Sequence, residues 1–299
     1  MNSNTIPVEK LCAHPLRLRM IEDMVMRHLS PQTQKNYVNA VKGFTVFLGR
    51  SPDRAKSEDL RRYQIYLAQQ GASIGKINTT LSGLRFFFEQ TLHRTSIMNR
   101  TNTVSMPRRM PPILSREEVT RLIDATCSAK YKAAFAIAYG AGLRVSEVAA
   151  LKVSDIDSQR MLIRVEQGKG NKDRYAMLSQ TLLNVLRAWW REGSKQQKML
   201  PGGWLFPGMN PVNSISSRQL SRVFRQAVAA AGIKRPVTTH SLRHSFATHL
   251  LENGVDIRVI QTLLGHKKLE TTALYSQVAT RVLRDTKSPI DDLPLGLVS

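Results

Sequence analysis

Cysteine is nearly missing from this 299-residue chain, which holds only Cys12 and Cys127. Two thiols so far apart form no metal-spacing pair, which argues against a disulfide framework and against a cysteine-built zinc site. No stretch approaches the roughly 18 consecutive apolar residues that a membrane-spanning helix needs. The opening residues, MNSNTIPVEKLCAHPLRLRM, lack the apolar core of a secretory signal. The expected compartment is therefore the cytoplasm. Acidic side chains are scarce as well: 22 Asp and Glu stand against 44 Lys and Arg, a formal charge of +22. Such an excess points to a polyanionic partner, nucleic acid before a membrane surface. Residues 1–110 carry 17 basic and 7 acidic side chains and the remainder 27 and 15, so the charge is not a tail on a neutral enzyme.

What is present is enough apolar material for real cores, 42% of the chain, and enough length for two domains. The pattern predicts a mainly α protein with a small antiparallel β-sheet. Residues 16–104 form an expected N-terminal helical domain, 105–114 a linker and 115–299 a second domain. In the first, Ser30 is a predicted N-cap with Pro31 at the first helical position. Tyr37, Val41, Phe44 and Leu48 then follow on one apolar face. A second helix opens at Ser57-Glu58-Asp59, buries Leu60, Tyr63 and Leu67, and ends near Gly71. A third is predicted from Ile74 to Leu92, with Ile77, Leu81, Leu84 and Phe88 inward. The linker region SMPRRMPPILS, residues 105–115, has three prolines and must be extended. It reads either as a plain spacer or as a basic strap across a DNA backbone.

Ser115 and Glu118 make a capping box that starts the second domain. A helix from Lys130 to Ala141, closed by Gly142, and another from Arg144 to Leu151 follow. Arg160 to Glu166 alternates and reads as a strand, with Met161, Ile163 and Val165 on one side. Gly168 to Asn171 forms a turn and Asp173 to Leu178 the returning strand. Helical pattern resumes at Leu182, with an interruption around Pro201 to Pro211.

Several residues in this half carry potential phosphate chemistry. Arg144 lies between Gly140-Ala141-Gly142-Leu143 and a helix start, where two glycines let the backbone turn sharply and an arginine offers a forked donor set. Glu147, three residues on, is placed to brace a neighbouring basic group. Lys169 sits at the tip of the glycine-flanked turn, with Lys172 a rival for any role there. His240 and Arg243 are spaced i, i+3 near the start of a helix beginning around Thr239, which puts them on one face. Leu242, Phe246 and Leu250 anchor that helix, leaving His244 and His249 as structural or surface residues. A zinc reading of His240, His244 and His249 fails for lack of a carboxylate partner on that face. Asp256 is a predicted cap for a helix from Ile257 to Leu264, stopped by a left-handed Gly265. His266 follows directly, and Thr271-Thr272 precede a helix carrying Tyr275.

Taken in order, the segments GAGLRVSEVAAL, GKGNKDR, HSLRHSFATHLLENG and LLGHKKLETTALY resemble those of the tyrosine recombinases, or phage-integrase family. The resemblance extends over nearly the whole chain. It implies a core-binding helical domain followed by a catalytic domain, and site-specific breakage and rejoining of double-stranded DNA. Tyr275 would be the nucleophile that forms a 3′-phosphotyrosyl bond. Arg144 and Arg243 would clamp the non-bridging oxygens, and Lys169 would protonate the departing 5′-oxygen. His240 would assist proton transfer at the tyrosine and His266 would hydrogen-bond the phosphate. The bond energy is retained, so no metal, ATP or other cofactor is implied. The family acts as a tetramer of identical or related subunits on two paired sites, through a Holliday junction, with or without a partner recombinase. A helix over Thr280 to Thr286 would dock onto a neighbouring protomer. The segment before residue 16 is too short for an arm-binding domain of the lambda type, and no long insertion precedes His240. The layout is thus closest to simple Xer-like or mobile-element recombinases acting in integration, excision or resolution. The rival readings are a type IB topoisomerase and a non-catalytic DNA-binding accessory protein.

Overall fold

Local chain signals account for most of the helix starts. The computed structural model describes residues 14–106, 110–166 and 173–265. They fall into two compact units, residues 1–108 and 109–299.

In the first unit, α1 (Pro15–Met26) and α2 (Pro31–Leu48) both begin on proline, whose missing N–H removes no helical bond at that position. Ser30 accepts from the Thr33 amide as the expected cap. Phe44 and Ala40 of α2 are buried, and Tyr37, Val41 and Leu48 pack against the same core. The helix α3 (Ser57–Gln69) buries Leu60, Tyr63 and Leu67 as its spacing requires. The expected helix from Ile74 to Leu92 is corrected in its second half. α4 (Ile74–Arg85) is α-helical, but Phe86–Thr91 widens into a π-turn. The wider turn changes the angular step, so the adjacent rings of Phe87 and Phe88 both point into the core. Each fully buried phenyl contributes about 1.5–3 kcal/mol of transfer free energy. Phe86 is left at the core's margin, 5.7 Å from the Tyr37 ring centroid.

The chain leaves this unit held by two side-chain amides. Gln64 donates to the Asn102 carbonyl and accepts from its amide at 2.7 and 3.2 Å. Asn78 does the same for Val104 at 2.8 and 2.9 Å. Each amide side chain thus stands in for a strand neighbour and satisfies exposed-edge backbone groups.

In the second unit Leu114 is fully buried and its amide donates to Ser245 Oγ at 2.8 Å. The capping box of Ser115 and Glu118 opens α5 (Arg116–Asp124) as predicted. α6 (Ala129–Gly140) and α7 (Val145–Ala150) follow. A three-stranded antiparallel sheet, in order β1 (Ile156–Asp157), β2 (Leu162–Val165) and β3 (Arg174–Met177), lies beside them. Met161 departs from the expected strand. It takes a positive φ of 57° in the turn before β2, while Ile163 and Val165 do face the core. In β3 the register pairs Val165 with Arg174 and Ile163 with Ala176. Side chains paired across strands share a face, so Arg174 points to the buried side with Ala176. The remaining helices are α8 (Gln180–Lys195), α9 (Ser217–Ala230), α10 (Thr239–Glu252) and α11 (Ile257–Leu264). Leu242 and Phe246 of α10 are buried, and Leu250 packs with Phe246, Ile260 and Leu264 in a small separate cluster. Asp256 caps α11 through the Arg258 amide at 2.7 Å, and Gly265 ends it in the left-handed region.

Candidate active site

Glu147 is the centre on which the site is built. Its position on α7 turns its carboxylate inward, and the side chain is 6% exposed. Three arginines from three elements meet it. Arg144, the residue before α7, donates its Nη1 to Oε1 at 2.7 Å and its backbone amide to Oε2 at 2.8 Å. Arg174 of β3 grips both oxygens, Nη1 to Oε1 at 3.0 Å and Nη2 to Oε2 at 2.9 Å. Arg243 of α10 brings Nη1 to 3.8 Å from Oε2. Burial alone would raise the Glu147 pKa. The hydrogen bonds and charges of Arg174 and Arg144 outweigh it and hold the group at about 2.

Arg243 is itself 3% exposed and is fixed by backbone carbonyls. Its Nη1 donates to Gly142 at 2.6 Å and its Nη2 to Leu264 at 2.5 Å. The guanidinium therefore bridges the turn before α7 and the end of α11, tying the motif segments together. Gly142 has φ +62°, and a Cβ there would lie 2.5 Å from the Phe246 ring. Glycine is required at this position for both backbone and space. The expected role of a second glycine is corrected: Gly140 is the last residue of α6 and has no positive φ.

His240, the second residue of α10, is exposed. The surrounding protein and the charges of Arg243 and Arg144 nevertheless lower its affinity for a proton. His244, one turn on, is half-buried and is pushed down to about 4 by burial, with His240 and Arg243 adding repulsion. His249 is structural. It is buried, and its Nδ1 lies 2.8 Å from the Tyr139 hydroxyl.

The structure thus brings Arg144 and Arg243 to one carboxylate, with His240 three residues before Arg243 on α10 and affected by the charges of both arginines. Lys169, Lys172, His266, Tyr275 and the segment 280–286 lie outside the described residues. Arg174 is a member of the site that the sequence reading did not single out. The available signal was strand alternation, because Arg174 and Ala176 fall on one face and Tyr175 on the other. Among the described residues, no three His, Cys, Asp or Glu side chains group as metal ligands, and no helix is long and apolar enough to cross a membrane.

What such a site can do is hold a dianionic or developing charge. Three guanidiniums against one carboxylate leave positive charge in excess, partly shielded from water, where electrostatic stabilisation is strongest.

Comparison with known proteins agrees with this chemistry. Residues 112–281 match the phage integrase family, and residues 16–97 match the phage integrase N-terminal SAM-like domain. A putative integrase/recombinase of Sinorhizobium fredii is 43% identical over 288 residues, 96% of this chain and 92% of its own. Tyrosine recombinase XerA of Pyrococcus furiosus is 34% identical over 255 residues, 83% of this chain and 86% of its own. The fold is shared with a lambda integrase dimer bound to a core site, at a TM-score of 0.68 and 21% identity, covering 86% of this chain and 96% of that one. These relatives are recombinases, which sets the topoisomerase and accessory-protein readings aside. With its phosphate-suited arginines gathered on one carboxylate, the chain belongs to the phage integrase family, the tyrosine recombinases, and is a site-specific recombinase that cleaves and rejoins DNA.

Proposed function

We propose that Arg144, Lys169, His240, Arg243, His266 and Tyr275 are the catalytic residues of this recombinase. The Tyr275 hydroxyl attacks the scissile phosphate, a 3′-phosphotyrosyl bond forms, and the bond to the 5′-oxygen breaks. Lys169 supplies the proton to that oxygen. His240, whose depressed proton affinity keeps the ring neutral near pH 7, accepts the proton from the tyrosine. Arg144 and Arg243 stabilise the charge that grows on the non-bridging oxygens, and His266 adds a hydrogen bond to them. Reversal with a partner strand's 5′-hydroxyl reseals the DNA, and the residues complete the cycle without metal or ATP.

The observation that carries this reading is the convergence of Arg144 and Arg243, from segments about 100 residues apart in the chain, on one buried carboxylate, with His240 three residues before Arg243 on the same helix. By the same reading residues 16–104 are a core-binding domain, 105–114 a linker and 115–299 the catalytic domain, working in the cytoplasm on duplex DNA. The related DNA-bound lambda integrase dimer supports assembly on DNA, and a tetramer on two paired sites is the complete machine.

The test uses a duplex selected by the full-length protein from a randomised pool, with a nick walked across it so that cleavage releases a short fragment and traps the enzyme. Wild type is expected to form a covalent protein–DNA adduct at one nick position, and Tyr275→Phe none. An adduct that persists undiminished in Tyr275→Phe overturns the assignment of the nucleophile. Full adduct formation by Arg144→Ala overturns the clamp.

A further inference from the structure

Arg174 has no part in the roles above, yet of the three arginines it is the one whose guanidinium grips both oxygens of the site's carboxylate. We propose that Arg174 is a positioning residue for strand cleavage: by occupying both oxygens of Glu147 it keeps that carboxylate, which already holds one Nη of Arg144, from drawing in Arg243 and the remaining donors of Arg144. The inference rests on the reading of those two arginines as the clamp.

A carboxylate has about four lone-pair directions. In Glu147 they are taken by the two Nη groups of Arg174, by the Arg144 amide and by Arg144 Nη1. Arg243 is thereby held at 3.8 Å, outside hydrogen-bond reach of the carboxylate, and its Nη1 is committed to the Gly142 carbonyl instead. Removing Arg174 empties two of the four directions in a site where Glu147 is 6% exposed and water is a poor substitute. The neighbouring guanidiniums would then turn toward the vacated oxygens. A charge-assisted bond to a buried carboxylate is strong enough to compete with a carbonyl or a phosphate.

Two further features of the fold are shaped around this side chain. Arg174 Nε donates to the Leu263 carbonyl at 3.3 Å, so the same guanidinium ties β3 to the end of α11. Gly265, which ends that helix, would carry a Cβ 2.8 Å from Arg174 Cδ, so the closing glycine also makes room for the arginine. The strand register aims Arg174 inward beside Val165, and its side chain is 12% exposed. An arginine needed only for solubility or general DNA attraction would have no reason to occupy this position.

The experiment measures the rate of covalent adduct formation by the full-length protein at saturating concentration on the selected, nicked duplex. The variants are Arg174→Gln, Arg174→Lys, Glu147→Gln and the double variant Arg174→Gln/Glu147→Gln. Arg174→Gln is expected to slow cleavage about a hundredfold, the scale of a misplacement near 1 Å. The double variant is expected to recover a substantial part of that rate, because no liberated carboxylate competes for the clamp. A merely structural role predicts the opposite order. A double variant no faster than Arg174→Gln overturns the proposal, as does a wild-type rate in Arg174→Gln. Should Arg174→Gln fail to fold, Arg174→Lys carries the test, since an ammonium lacks the planar fork that matches both oxygens while Nε holds the Leu263 carbonyl. It is expected to bind the duplex normally and cleave slowly, and a wild-type rate overturns the inference. Arg144→Ala runs alongside: if it cleaves normally, the clamp reading is what has failed.

Discussion

Replacing Gly142 with alanine attacks the backbone that holds Arg243, and the structure sets its size. At φ +62° an L-residue is disfavoured by roughly 1–2 kcal/mol. The new methyl would sit 2.5 and 2.7 Å from two Phe246 ring carbons and 3.0 Å from Leu264 Cδ2. Relieving such overpacking costs roughly 1–3 kcal/mol. Together the destabilisation is expected to be about 3 kcal/mol. Gly140→Ala is the matched control. Its methyl would meet Leu182 Cδ2 at 3.4 Å, an ordinary contact, in a helical residue. Alanine there is expected to be neutral or to stabilise by a few tenths of a kcal/mol.

The three tryptophans, Trp189, Trp190 and Trp204, all belong to the second unit, so tryptophan fluorescence in urea follows that unit alone. With a slope of about 2–3 kcal/mol per molar urea, Gly142→Ala should lower the midpoint by about 1 M. Cleavage should fall further than stability explains, measured where the variant is still folded, because the Gly142 carbonyl is an acceptor for Arg243 at 2.6 Å. Equal midpoints for Gly142→Ala and wild type would refute the packing argument. A destabilised Gly142→Ala that cleaves at the wild-type rate would refute the coupling to Arg243.

Glu147 should also be visible in acid. Its folded pKa of about 2 lies below its unfolded value of 4.5, so its stabilisation is full above pH 4.5 and fades as pH falls toward 2. The whole contribution is about 3 kcal/mol, of which about 2 kcal/mol should be gone at pH 3. Glu147→Gln should lack this segment of the stability–pH curve, and parallel curves for the two proteins from pH 5 to pH 3 would contradict the assignment. Ser245→Ala removes the acceptor of the buried Leu114 amide and should destabilise the second unit by about 1–3 kcal/mol in the same urea assay. An unchanged midpoint would mean that the chain at residue 114 is held by Leu114 packing alone.

The parts of this molecule that sequence revealed are those decided within one turn of chain. Ser30 with Pro31, Ser115 with Glu118, and Asp256 with Gly265 each satisfy or terminate their own helix, so their signals are local and the boundaries were readable. The switch to a π-turn at Phe86 was not, because three successive phenylalanines suit either helix and only the core decides which rings must enter. β1, two residues long, has too little pattern to register. His249 was left between structural and surface because its partner, Tyr139, is 110 residues away.

The site shows the same division at higher stakes. Arg144 and Glu147 are one turn apart, so a bracing role for Glu147 could be read from spacing. That Glu147 is braced in turn by Arg174, 27 residues on, depends on strand register, and that Arg243 is restrained depends on carbonyls 101 and 21 residues distant. None of these partners is chosen by propensity. They are chosen because a buried carboxylate must be fully bonded and a buried guanidinium must find acceptors. One carboxylate cannot satisfy three guanidiniums with its four lone-pair directions. Which arginine it satisfies fully therefore decides which ones keep uncompensated charge, as the proposed phosphate clamp requires. In this fold that arginine is Arg174, delivered by β3. The consequence is that the electrostatics of the site should depend on the sheet as closely as on the segments that carry Arg144 and Arg243.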